Sequence, residues 1–133
     1  MASTAFETRQ TGDRPDAIAP DGSEVRLLCA TAHGSMAGFR LPPGAIARAV
    51  AHRTVEEIWH VIAGRGRIWR RSEHGREEIT ELASGLSLTI PTGTRFQFRC
   101  NGEAPLEIVA VTMPPWPGDG EAYFVEGVWP ATV

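Results

Sequence analysis

Two segments decide the fold of this chain: GAIARAVAHRTVEEIWHVIAG at residues 44–64 and GLSLTIPTGTRFQFRC at residues 85–100. In both, hydrophobic residues alternate with polar ones, which is the pattern of β-strands with one buried face. Their glycines can adopt the positive φ that tight corners need, and Pro91 presets a turn between two strands. The two segments therefore predict short strands joined by tight turns.

The same alternation continues on both sides of these segments, and Gly and Pro turns interrupt it at short intervals. Nine β-like runs result, at residues 24–32, 35–41, 46–52, 55–63, 66–71, 77–82, 86–90, 95–100 and 106–113. Strands at this spacing are typical of a sandwich or barrel. We therefore expect an all-β single domain, with a polar arm at 1–23, a barrel at 24–113 and an aromatic tail at 114–133 that packs on the barrel.

The composition excludes several classes of function. With 133 residues, a net charge of −3 and no Arg-rich helix, the chain has no surface suited to nucleic acid. All thirteen basic residues are Arg, so no side-chain amine is available for Schiff-base chemistry. No apolar run approaches the length that crosses a bilayer, and the two cysteines lie in apolar strands where free thiols are expected. We expect a cytoplasmic protein with no nucleic-acid or membrane partner.

The two decisive segments resemble the two signature motifs of the cupin superfamily. The matching residues are Gly44, His52, Glu57 and Gly64 in the first motif and Gly85, Pro91 and Gly93 in the second. Three family positions differ: Val50 and Phe96 stand where the motifs have His, and Cys100 where the second has Asn. The resemblance implies a double-stranded β-helix, or jelly-roll, barrel with one small-molecule pocket. It also implies a divalent metal held by His and Glu, for which this chain lacks two imidazoles.

Counting alternate residues from the motif positions predicts the lining of the pocket. Arg48, Val50 and His52 would then face the interior together from one strand. The next strands would add Glu57, Trp59 and Val61, and Phe96, Phe98 and Cys100. A mostly apolar interior with a few polar groups is typical of a small-molecule site.

His52 and Glu57 are the candidate catalytic residues. A carboxylate on an apolar strand needs a partner, and His52 and Arg48 are the partners we expect for Glu57. Arg48, Val50, Trp59, Phe96 and Phe98 are the candidate substrate-binding residues. The alternatives are a structural His52–Glu57 ion pair, an Arg48 in solvent, and aromatic residues that simply form the core.

A metal is not expected, because His52 and Glu57 supply two protein ligands where a catalytic site usually has three. Only a loop residue or waters could complete such a shell. The predicted site therefore contains no metal ligand set and no cofactor.

Three functions are compatible with such a pocket. The first is a metal-independent isomerase, epimerase or lyase acting on a small organic acid or sugar derivative, with His52 and Glu57 as acid and base. The second is a non-catalytic module that binds or senses a small-molecule ligand. The third is a metal-dependent dioxygenase, decarboxylase or isomerase with an incomplete ligand set. Because cupins commonly dimerise through their outer strands, the resemblance also implies a homodimer.

Overall fold

The computed structural model describes residues 5–133, so the first four residues of the predicted arm lie outside the described residues. Eleven strands form in this part of the chain, and no helix accompanies them. They are β1 (Ala17–Ile18), β2 (Glu24–Ala30), β3 (Ser35–Leu41), β4 (Val50–His52), β5 (Glu56–Ala63), β6 (Arg65–Arg71), β7 (Glu77–Ala83), β8 (Ser87–Ile90), β9 (Arg95–Cys100), β10 (Leu106–Met113) and β11 (Ala122–Phe124).

The strands form two sheets whose pairs are all antiparallel. The six-stranded sheet has the order β1-β2-β3-β10-β5-β8, and the five-stranded sheet has the order β11-β4-β9-β6-β7. Chain neighbours are often in different sheets, since β4 lies in one and β5 in the other. This alternation between two facing sheets confirms the predicted all-β jelly-roll barrel.

Each of the nine predicted strands is present, but the third is much shorter than expected. The sequence predicts a strand over 46–52, whereas β4 begins at Val50. Between Ile46 and β4 the chain makes only an isolated bridge, from Ile46 to Arg99. The side chains buried in the core here are Ala45, Ala47 and Val50, so the two-residue period slips by one position before β4.

The core fills the space between the sheets with side chains from both of them. Its largest fully buried members are Trp59, Phe96 and Phe98. Strand β5 shows why, because its residues alternate between exposed and buried from Glu56 to Ile62. Alternation of this kind places every second side chain in the interior.

Glycines permit the closest approaches between chain segments. Gly64 has φ of +85°, and a Cβ at this position would lie 2.3 Å from the carbonyl oxygen of Pro105. The corner between β5 and β6 therefore requires a residue without a side chain.

The C-terminal tail covers the outer face of the five-stranded sheet. The buried side chain of Gln97 points to this face and anchors the tail. Its Oε1 accepts hydrogen bonds from the backbone N–H groups of Val128 and Trp129, and its Nε2 donates to the carbonyls of Ala47 and Trp129. One polar side chain thus satisfies four backbone groups beneath the tail.

The outer face of the six-stranded sheet carries exposed apolar side chains. Met36, Ile58 and Ile62 are 39%, 47% and 51% exposed. The homodimer expected from the sequence stays a prediction. Over residues 5–133, no helix is long and apolar enough to span a membrane.

Candidate functional site

Four residues from three strands meet inside the barrel. His52 ends β4, Glu57 and Trp59 lie on the same face of β5, and Phe96 belongs to β9. All four are buried, with His52 6% and Glu57 3% exposed. The sheets thus bring together residues that face each other across the interior.

Glu57 is held by one hydrogen bond from its own strand. The indole Nε1 of Trp59 donates to Oε1 of Glu57 at 2.6 Å, and this short bond orients the carboxyl group. The second oxygen, Oε2, lies 3.5 Å from Nδ1 of His52. At this distance the two groups do not form a good hydrogen bond, and Nδ1 of His52 is buried without a partner among the described residues.

His52 lies between two aromatic rings. Phe96 meets it edge to face, with ring centroids 5.3 Å apart, and Trp116 meets it in the same geometry at 5.1 Å. Trp116 belongs to the irregular segment between β10 and β11, and its backbone N–H donates to Oγ of Ser35. With 36% of the residue exposed, Trp116 separates His52 from solvent.

Burial shifts the two titratable groups in opposite directions. Desolvation raises the pKa of Glu57 to about 7, although the hydrogen bond from Trp59 opposes the shift and nearby Asp21 and Glu121 add to it. Desolvation lowers the pKa of His52 to about 4, against the attraction of Glu121. In both cases the apolar surroundings disfavour the charged form.

Glu121 is the ionised neighbour of this pair. Burial alone would raise its pKa, but hydrogen bonds from the Thr54 side chain and from the N–H groups of Thr54 and Val55 outweigh burial and lower the pKa. The carboxylate therefore closes the turn between β4 and β5 and places a negative charge near His52.

The sequence did not identify Trp116, Glu121 or Asp21 as parts of the site. Trp116 and Glu121 lie in the tail, and Asp21 lies in the arm, outside both motifs. The aromatic residues of the tail gave a weak indication of Trp116, because the sequence predicts a tail that packs on the barrel through such residues. Nothing in the sequence indicated that the two acids lie close enough to Glu57 to affect it.

The interior position predicted for Arg48 is wrong. Its side chain is exposed on the outer side of the barrel, where the guanidinium lies 5.3 Å from the Phe124 ring and Nε lies 3.4 Å from the carbonyl oxygen of Val133. The period slip before β4 reverses the side on which residue 48 emerges. Glu57 therefore has Trp59 as its hydrogen-bond partner instead of Arg48.

The remaining predicted lining residues are in the interior. Val50 pairs with Phe96 across β4 and β9, and both are buried. Trp59 packs edge to face against Phe98 at 4.9 Å and against Phe96 at 5.6 Å. Because these rings contact each other directly, they fill much of the space between the two sheets.

The side chains present do not fit a resident metal. No group of three or more His, Cys, Asp or Glu side chains within residues 5–133 is arranged to hold a metal ion. At the two positions where the resemblance implies imidazoles, Val50 and Phe96 present only carbon. Two donors, His52 and Glu57, are fewer than a catalytic metal site uses.

Comparison with known families identifies one match. Residues 38–112 match a family model described as Cupin domain, which covers both motif segments. A comparison with curated proteins found no match.

Solved structures from several bacteria share the fold. A protein with a double-stranded β-helix domain from Klebsiella pneumoniae is 17% identical, with a TM-score of 0.64 over 94% of this chain and 99% of that chain. KdgF from Halomonas sp. is 15% identical, with a TM-score of 0.63 over 80% and 88% of the two chains. An oxalate decarboxylase from Lactobacillus farciminis is 19% identical, with a TM-score of 0.73 over 92% of this chain and 37% of its own. At these identities the likeness concerns the fold alone.

Proposed function

The chain belongs to the cupin domain family, and from this premise we propose that its barrel interior is a metal-independent acid–base site for a small substrate. The reaction class is isomerisation, epimerisation or elimination, in which one group removes a proton from carbon and another returns or donates one. One observation carries the proposal: a buried carboxyl oxygen of Glu57 lies 3.5 Å from a buried imidazole nitrogen of His52 that has no hydrogen-bond partner among the described residues.

The protonation states suit the two roles. Between the His52 pKa of about 4 and the Glu57 pKa of about 7, the imidazole is neutral and the carboxyl group is mostly protonated. His52 can then accept a proton while Glu57 can donate one. The step leaves an imidazolium beside a carboxylate, and return of the proton from Nδ1 of His52 to Oε2 of Glu57 restores the neutral pair. Since Oε1 of Glu57 accepts the bond from Trp59, Oε2 is the oxygen that carries the transferable proton.

The surroundings favour an uncharged substrate. The chain has no Lys, Arg48 lies outside, and neither His52 nor Glu57 forms an ion pair with an Arg among the described residues. An organic acid would bring a negative charge into an apolar interior that offers no fixed cation. A small hydroxy-carbonyl compound, such as a sugar derivative, is therefore the substrate class we propose over an organic acid.

Entry requires movement of Trp116. Its ring covers His52, and it lies on a segment without strand pairing between Met113 and Ala122. We infer that this segment opens to admit substrate and closes to exclude water, which strengthens the acid–base interactions inside.

Deuterium exchange tests the proposal. The purified chain is incubated in D2O with a panel of small aldoses and ketoses, and loss of the C–H signal next to the carbonyl is followed by proton NMR. Wild-type protein should exchange at least one compound, and His52→Gln and Glu57→Gln should each lower the rate by about 100-fold or more. Glu103→Gln, at an exposed position, is the matched control and should leave the rate unchanged.

Two results would contradict the proposal. Exchange that survives both substitutions would place the chemistry elsewhere. Exchange that a chelator abolishes would show that a metal takes part. If no compound exchanges but one binds, the non-catalytic ligand-binding function is the better description, and the aromatic rings of Phe96 and Trp116 beside His52 favour that candidate.

A further inference from the structure

A second site lies on the outer face of the five-stranded sheet, away from the barrel interior. A cleft of about 270 Å³ opens there, lined by Arg71, Ser72, Glu73, Gly93, Arg95 and Tyr123. None of these side chains takes part in the acid–base site, and the one link between the two places among these residues is the hydrogen bond from the N–H of Gly93 to the carbonyl oxygen of His52.

Two arginines face each other directly across the cleft. Arg71 of β6 and Arg95 of β9 are register partners, which places two positive side chains opposite one another on the same face. Like charges in this position destabilise a sheet. Glu77 of β7 is the register partner of Arg71 on its other side and offsets part of this repulsion. Within residues 5–133 neither arginine side chain forms a hydrogen bond or an ion pair.

The neighbouring arginine pair in the same two strands is different. Arg67 and Arg99 are also register partners. Nε of Arg67 lies 2.7 Å from a carboxylate oxygen of Glu81, and the guanidinium of Arg99 lies 5.4 Å from the centre of the Trp129 ring. Each of these arginines therefore has a partner, and the Arg71–Arg95 pair lacks the equivalent among the described residues.

A third guanidinium contacts Tyr123, one of the lining residues, without lining the cleft itself. Nε of Arg53 donates to the carbonyl oxygen of Gly120 at 2.9 Å, and its guanidinium lies 4.7 Å from the centre of the Tyr123 ring. The terminal nitrogens of Arg53 have no hydrogen-bond partner among the described residues. Among the lining residues, Arg71 and Arg95 outnumber the single acid Glu73, and Arg53 adds a further positive charge beside Tyr123 to balance Glu77 opposite Arg71.

We propose that this cleft binds a small oxyanion, in the form of a phosphate or a carboxylate group. Guanidinium groups present paired N–H donors that match the oxygens of both groups, and a bound anion would remove the repulsion between Arg71 and Arg95. The cleft is slightly smaller than the usual range for ligand pockets, which begins at about 300 Å³, and this favours a single anionic group over a nucleotide.

NMR titration of the full chain tests the site. Sodium phosphate and sodium succinate are added separately to 15N-labelled protein at constant ionic strength, and the backbone amide of Ser72, which bonds to the carbonyl of Arg76, is followed. We expect a saturable shift with at least one of the two anions. Arg71→Gln and Arg95→Gln should each weaken its binding about tenfold, the effect of losing one charge-assisted contact. Arg67→Gln removes the same charge from the same sheet and should change the affinity less than about twofold.

Thermal unfolding provides a second measurement, because arginines with a purely structural role would not make the unfolding temperature depend on the anion. Without added anion, Arg95→Gln should unfold about 1–3 °C above the wild type, because it removes the like-charge repulsion and leaves Arg71 opposite Glu77. The preferred anion should raise the unfolding temperature of the wild type and not that of Arg95→Gln. No saturable shift at Ser72 with either anion, or equal weakening by Arg67→Gln, would overturn the proposal.

Discussion

Glu57→Gln provides the sharpest test of the interior site, because Glu57 and His52 affect stability in opposite directions as the pH changes. The pKa of Glu57 rises from 4.5 in the unfolded chain to about 7 in the folded protein. As the pH rises from 4.5 to about 7, Glu57 loses its proton in the unfolded chain before it does so in the folded protein, so the free energy of unfolding falls. A shift of this size corresponds to about 3 kcal/mol.

His52 has the opposite effect over nearly the same window. Its pKa falls from 6.5 in the unfolded chain to about 4 in the folded protein. As the pH falls through this window, the unfolded chain takes up a proton that the folded protein does not. The contribution of His52 therefore increases by about 3 kcal/mol as the pH rises from 4 to 6.5. In the wild type the two effects nearly cancel, and we expect a flat stability profile from about pH 4.5 to 6.5.

Each substitution removes the pH dependence that one of the two residues contributes to the free energy of unfolding. Glu57→Gln should leave the rising slope of His52, so stability increases by about 3 kcal/mol between pH 4 and 6.5 and then levels. At about pH 8 the variant should be more stable than the wild type by about 3 kcal/mol, since glutamine keeps an acceptor for Trp59 and carries no charge to bury. His52→Gln should leave only the contribution of Glu57, so that the free energy of unfolding falls as the pH rises from 4.5 to 7.

Urea unfolding, followed by tryptophan fluorescence at half-unit steps of pH, measures these profiles. Glu103→Gln is the exposed control, and its profile should run parallel to that of the wild type. A structural His52–Glu57 ion pair predicts the reverse, because removing one charge of a buried pair destabilises the protein. A Glu57→Gln variant less stable than the wild type at about pH 7 would therefore refute the neutral His52–Glu57 pair.

Three further predictions concern neighbouring residues. Trp59→Phe removes the donor to Glu57 and should raise the pKa of that carboxyl above its present value of about 7, measured by 13C NMR of the side chain. In the wild type the Trp116 ring separates the His52 imidazole from solvent. Trp116→Ala uncovers His52 and should therefore speed its acylation by diethyl pyrocarbonate about tenfold or more, measured by mass spectrometry. Gly64→Ala should cost more than about 2 kcal/mol in urea unfolding, because φ is +85° and the new Cβ would clash with a carbonyl oxygen.

Each of these predictions has an internal comparison. Exposed His60 should react equally fast in the wild type and in Trp116→Ala, and equal rates at His52 would contradict its proposed covering. Gly75 has φ of +88° but no atom within 4 Å of a Cβ, so Gly75→Ala should cost only the backbone strain of about 1 kcal/mol. Equal costs at Gly64 and Gly75 would contradict the steric argument. An unchanged Glu57 pKa in Trp59→Phe would show that the indole bond does not act on the carboxyl group.

Much of the fold could be predicted because it depends on local conformation. The motif glycines Gly44, Gly64, Gly85 and Gly93 all have positive φ, between 76° and 95°. Only glycine adopts such angles without cost, so their spacing located the corners of the barrel. Alternation then located the strands, and counting from the positions of the resembled motifs located the interior faces of β5 and β9, on which Glu57, Trp59 and Phe96 lie.

The prediction was wrong at Arg48, because alternation is reliable only within a continuous strand. Residues before Val50 do not pair regularly, and the period slips by one there. A slip of one residue sends every side chain on one side of it to the opposite face. No property of Arg48 or of its immediate neighbours announces such a slip, which depends on how the segment packs against β9.

The sequence by itself determined an all-β domain and its corners, since these follow from backbone preferences and strand period, and the resemblance of its motifs implied that His52 and Glu57 meet inside a barrel. Only the tertiary structure decided the environment of that pair: Trp116 over the imidazole, and Asp21 and Glu121 near enough to raise the pKa of Glu57. These residues come from the arm and the tail, far from the motifs along the chain. Burial and charge act through space, and distance through space is set by packing of the whole chain, which no local pattern encodes.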